Sequence, residues 1–119
     1  MDEIDFESDL FEDILAKDPR YHARAYALLM DVVRFLLEDE CALTAENILE
    51  DFRDRTLDQY GPLSYRVLEE WGVTCCADIG EMMFNLMDAK RVRKDDGDTP
   101  GCFVGGYDFK EAFLSPFAV

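Results

Sequence analysis

Few residues of this 119-residue chain have the types and spacing for chemistry. His22 is its single histidine. As a general base it would need a nucleophile within reach, and the chain has no G-x-S-x-G elbow and no Cys–His signature. His22 therefore reads as structural or surface. The four cysteines, Cys41, Cys75, Cys76 and Cys102, form no C-x-x-C pair and have no histidine cluster beside them, so they are expected to be reduced and structural. A bond between the adjacent Cys75 and Cys76 would be strained. Asp95, Asp96 and Asp98 offer the oxygen ligands that Ca²⁺ or Mg²⁺ prefer, but the segment lacks the glutamate that closes a twelve-residue calcium loop. Asp78-Ile79-Gly80 is similar to a kinase metal-binding triplet, but nothing else of a kinase is present. Paired carboxylates such as Glu69-Glu70 are frequent, yet consecutive residues on a helix do not share a face. No glycine-rich phosphate cradle is present, and no catalytic residue, metal or cofactor is expected.

Charge narrows the partners. With 12 basic and 27 acidic residues the formal net charge is −15, and the isoelectric point is near 4.2. Such a field repels phosphate backbones and anionic lipid surfaces and favours basic partners. The one basic cluster is Lys90, Arg91, Arg93 and Lys94, and it faces the acidic DDGDTPG run. Hydrophobic residues make up 49% of the chain, enough for a core and against global disorder. The opening MDEIDFESDLFED is acidic where an export signal would be basic. The longest apolar run, Tyr26 to Leu37, is interrupted by Asp31 and Arg34 and is too short to span a bilayer. The expectation is one cytoplasmic domain, residues 1–119.

The elements that would position these residues follow from periodicity. Ile4, Phe6, Leu10, Phe11 and Ile14 suit a short acidic helix or arm over 1–18 that docks by one stripe. Pro19 fits the first turn of a helix from about Arg20 to Glu38. That helix is apolar nearly all round, which places it at the centre of the fold or in an oligomer interface. The small size of the domain tips the reading toward a homodimer. Thr44 is the N-cap of a third helix ending near Gln59. Gly61-Pro62 restarts the chain, and Gly72 is a natural C′ residue for the helix containing Leu63, Val67, Leu68 and Trp71. A last long helix runs from about Ala77 to Lys90. Arg91 to Lys94 and Cys102 to Tyr107 then read as short strands around a turn, with Gly105-Gly106 a bulge or turn. Asp108 with Glu111 has capping-box spacing and opens a closing helical turn. Together these predict an α+β, mainly helical domain, with a winged-helix-like core over 44–114, a C-terminal β-hairpin and extra N-terminal helices.

The stretch from Tyr60 to Phe113 resembles a family of small uncharacterised proteins largely restricted to Planctomycetes and Verrucomicrobia. The resemblance lies in Tyr60-Gly61-Pro62, Val67-Leu68, Trp71-Gly72, Asp78-Ile79-Gly80-Glu81, Phe84-Asn85-Leu86, Tyr107-Asp108-Phe109 and Ala112-Phe113. Two positions depart from it, Ile79 where the family tends to have Phe and Lys90 where it often has Gly. The family carries no established activity, so the resemblance implies a fold grouping and no chemistry.

The functional expectation is a non-catalytic, intracellular protein–protein interaction or regulatory module. Phe84, bordered by Met82 and Met87, is the candidate partner surface, because exposed aromatics and methionines on a helix mark adaptable binding faces. The alternatives are a weak nucleic-acid-binding winged helix using Lys90, Arg91, Arg93 and Lys94 as its wing, and an acidic mimic of nucleic acid that binds a basic partner.

Overall fold

The computed structural model describes residues 10–93, 103 and 105–117. Helix α1, Glu12–Lys17, leads into α2, Ala23–Glu38, and α3, Ala45–Tyr60. A 3₁₀ turn at Gly61–Leu63 precedes α4, Ser64–Glu70, which is followed by α5, Cys76–Asp88. A short α6, Phe109–Phe113, and a 3₁₀ turn at Ser115–Phe117 close the chain. Helix α3 is the hub and touches α2, α4, α5 and α6. One continuous core runs from Phe11 and Ile14 through α2, α3 and α5 to Phe109 and Phe113.

Three N-termini, those of α2, α3 and α6, form where side chains satisfy the first free amides. Thr44 accepts from Asn47 N at 3.1 Å. Asp108 accepts from Lys110 N and Glu111 N at 2.9 and 3.1 Å. His22 is the N-cap of α2, its Nδ1 accepting from Arg24 N at 3.0 Å. That role absorbs the single histidine.

Three C-termini close by one mechanism, in which the amide of C′ reaches the C2 carbonyl and that of C″ reaches C3. After α4, Gly72 N bonds Glu69 O and Val73 N bonds Leu68 O. After α2, Glu40 N bonds Leu37 O and Cys41 N bonds Leu36 O. After α5, Lys90 N bonds Met87 O and Arg91 N bonds Leu86 O. The C′ residues all have positive φ: Gly72 at 87°, Glu40 at 57° and Lys90 at 62°. Only the first is a glycine. Lys90 thus occupies a backbone state that favours glycine.

The expected winged-helix core and its β-hairpin are not seen among the described residues. Among the described residues the fold is all-helical, with no strand, so the region 44–114 is not α+β. Arg91 is spent closing α5, and Val92 and Phe103 are buried. Tyr107 N donates to Cys76 Sγ, and Cys76 Sγ donates to Tyr107 O, both at 3.3 Å. A thiol on α5 therefore satisfies the backbone groups that a hairpin ladder would have used. Lys94, Asp95, Asp96, Asp98 and Cys102 lie outside the described residues.

The apolar α2 is central. Ala25, Tyr26, Leu29 and Val32 are fully buried within the single chain, so its composition does not require an oligomer interface. No described helix is long and apolar enough to cross a membrane.

Candidate functional site

The densest polar constellation joins the turn before α2 to the face of α5. Tyr21, nearly fully buried, donates from its hydroxyl to Asp78 Oδ1 at 2.6 Å. Asp78 Oδ2 accepts from Thr74 N at 2.9 Å, Thr74 Oγ1 at 3.0 Å and Cys75 Sγ at 3.6 Å. One turn further along α5, Glu81 faces Arg20 at 3.6 Å. Asn85 Nδ2 then donates to both Asp18 Oδ2 and the Tyr26 hydroxyl at 2.9 Å. Arg20 grips Asp18 with Nε at 2.8 Å and Nη2 at 2.7 Å. Asp78, Glu81 and Asn85 recur every three to four residues, so one face of α5 meets the whole turn.

The electrostatics mark a latch. The Arg20 guanidinium, helped by Asn85 and opposed by partial burial, holds the Asp18 carboxyl well below the ordinary range. Burial pushes Asp78 up, but hydrogen bonds from Tyr21, Thr74 and Cys75 outweigh it and the net shift is downward. Burial and the hydrogen bond to Asp78 drive the Tyr21 phenol upward, so it stays protonated. An ionised carboxylate bound to a protonated phenol is a stable pair with no free proton acceptor. Among the described residues no buried side-chain polar atom lacks a partner, and no group of His, Cys, Asp or Glu could hold a metal. Asp78 of the kinase-like triplet is consumed structurally.

The described cysteines are unbridged. Cys41 is half-buried, Cys75 exposed and Cys76 buried. Burial raises the Cys76 thiol, and it raises that of Cys41 with help from Asp39. Neither shift favours a reactive thiolate.

The expected partner surface is divided by the structure. Phe84 is 44% exposed, whereas Met82 is 0% and Met87 9% exposed. The two methionines fill the core, and Phe84 stands outward between Glu81 and Asp88 on the same face. The basic cluster is also partly spent. Arg91 pairs with Asp13 at 2.9 Å and lies over the Phe11 ring at 5.7 Å, while Lys90 and Arg93 are exposed.

Comparison with known proteins finds no matching family model, no matching curated relative and no matching solved structure. The residues on which the expected resemblance rests are mostly engaged in packing and capping. Tyr60 packs edge-on against Trp71 at 5.5 Å, Asn85 and Asp78 hold the latch, Asp108 caps α6, and Phe109 and Phe113 are buried. Phe84 is the aromatic among them that faces outward.

Sequence reasoning missed two features. The latch joins Asp18, Arg20 and Tyr21 to residues more than fifty positions away, and no local spacing encodes that meeting. The second was legible: Glu46, Glu50 and Asp54 lie at i, i+4 and i+8 of α3, a spacing that puts them on one face.

Proposed function

We propose that the protein is a non-catalytic, intracellular interaction module that presents the outer face of α5 to a protein partner. Phe84 carries the reading. It is a large aromatic side chain held exposed on a helix whose inner face, Ile79, Met82, Met83 and Leu86, is fixed in the core. Aromatic anchors on rigid elements dominate interface energetics because little side-chain entropy is lost on docking. The latch supports the same role, since Asp78, Glu81 and Asn85 tie α5 to the turn before α2 and keep its outer face in place. Unbridged Cys41, Cys75 and Cys76 accord with a reducing compartment.

The test is capture from nuclease-treated lysate by immobilised wild-type and Phe84→Ser proteins, with bound species identified by mass spectrometry. A dominant protein retained by the wild type and lost from a folded Phe84→Ser variant is the expected result. Identical capture by both sinks the reading. A second copy of the chain is the other partner such a face admits, and sedimentation of the two proteins separates that outcome.

A further inference from the structure

A second surface, separate from Phe84, lies along α3. Glu46, Glu50 and Asp54 are exposed on one face of that helix, and Glu50 lines two shallow grooves at once. The first, about 360 Å³, runs beside Leu49, Arg53 and the Gly106–Tyr107 turn. The second, about 180 Å³, opens beside Leu36, Cys41 and Asn47. Buried Leu49 gives the first groove an apolar floor, whereas the second, with Leu36 beneath it, is mostly polar.

The wall of the first groove is built. A Cβ on Gly106 would come within 2.7 Å of Leu49 Cδ1 and 3.0 Å of Cys76 Sγ, so the turn sits close down on α3 and α5. The Tyr107 hydroxyl donates to Leu49 O at 2.9 Å and pins the ring against α3. Both flanking arginines are already engaged, Arg53 with Asp54 at 3.0 Å and Arg55 with Asp51 at 3.2 Å. Glu46 and Glu50 pair with no cation among the described residues. Exposed Glu38, Asp39 and Glu40 add charge at the end of α2, where Asp39 Oδ2 lies 3.6 Å from Cys41 Sγ in the second groove.

We infer that this ridge seats a basic amphipathic segment of a partner protein, its cations meeting Glu46 and Glu50 and an apolar residue entering beside Leu49 and Tyr107. Charge complementarity selects the partner: unpaired carboxylates one helical turn apart match Lys or Arg at the same spacing and oppose phosphates. The apolar floor of the first groove selects an amphipathic segment over a simple polycation. The inference stands independently of Phe84.

The test titrates the full-length ¹⁵N-labelled protein with two synthetic peptides of equal charge, one Lys/Leu amphipathic and one Lys/Ser. Expected are amide shifts centred on Glu46, Glu50, Asp54 and Gly106 with the Lys/Leu peptide, and weaker binding of Lys/Ser. A Glu46→Lys/Glu50→Lys variant should lose roughly tenfold or more in affinity, while Phe84→Ser binds as the wild type does. Both glutamates are exposed, and because Glu46 sits in the first turn of α3 the double variant should melt slightly below the wild type while staying folded. Equal binding of the two peptides, shifts centred on α5, or an unaffected double variant would each overturn the inference.

Discussion

The Tyr21 hydroxyl donates a 2.6 Å hydrogen bond to Asp78 Oδ1, joining residues 57 positions apart. The bond fixes the turn before α2 onto the first turn of α5, and Asp78 in turn organises Thr74 and Cys75 around the N-terminus of that helix. An acidic group in the first helical turn also suits the positive end of the helix dipole. Tyr21→Phe keeps the ring and removes the donor. Denaturant unfolding should show a loss of about 1.5–3 kcal/mol, the range for a hydrogen bond to a charged group. In a cycle with Asp78→Ala the two losses should fall short of additive, because both remove the same contact.

Asp18 and Asp78 are both held below their ordinary value of about 3.9. Depressed carboxylates stabilise the fold above the unfolded-state pKa, and the contribution is lost as pH falls through the folded-state values. Stability should therefore drop below about pH 4, and the drop should be shallower in Asp18→Asn and Asp78→Asn than in the wild type. Urea melts at neutral pH and near pH 3 read the difference. Equal slopes in all three proteins would remove these carboxylates from the acid response.

The three helix ends with positive φ predict opposite signs for opposite substitutions. Gly72→Ala would place a Cβ 2.2 Å from the Arg20 carbonyl oxygen at φ 87°, and should cost several kcal/mol or prevent folding. Lys90→Gly and Glu40→Gly relieve the left-handed strain at φ 62° and 57°. Each should stabilise by about 0.5–1 kcal/mol after the added freedom of the unfolded chain is counted. Thermal melts of the three variants check the signs.

Phe84 and Met82 sit two residues apart on α5 with opposite environments. Phe84→Ser should change stability by no more than about 0.5 kcal/mol. Met82→Ala should cost about 2–5 kcal/mol through the cavity it leaves. A large loss from Phe84→Ser would show that its ring packs against the fold.

Thiol accessibility orders the cysteines. Exposed Cys75 should react with a soluble maleimide in the native state, and buried Cys76 only on unfolding. Peptide mapping of each site reads the order. Fast native labelling of Cys76 would contradict its enclosure between α5 and Tyr107.

Helix ends were the most legible part of the fold. Thr44, Gly72 and Asp108 act within four residues of themselves, so their side chains or backbone freedom announce the termini they form. Glu40 and Lys90 hold the same C′ role as Gly72 without its signature, which hid the tight closure after α5. The segment after it reads as a hairpin because DDGDTPG, with its turn-forming Gly and Pro, lies between two short runs that suit strands. That pattern cannot show that Cys76 would supply the hydrogen bonds of Tyr107.

By itself the sequence determined the acidic character, the helical periodicity and most caps, because each depends on composition or on neighbours within a turn. Tertiary structure decided which side chains face outward. It buried Met82 and Met87, left Phe84 exposed, drew Asp18 and Tyr21 onto α5, and set Gly106 and Tyr107 against α3. Those outcomes depend on contacts between residues thirty to seventy positions apart. Such contacts are chosen by how whole helices pack to fill a common core, and no local pattern carries that information.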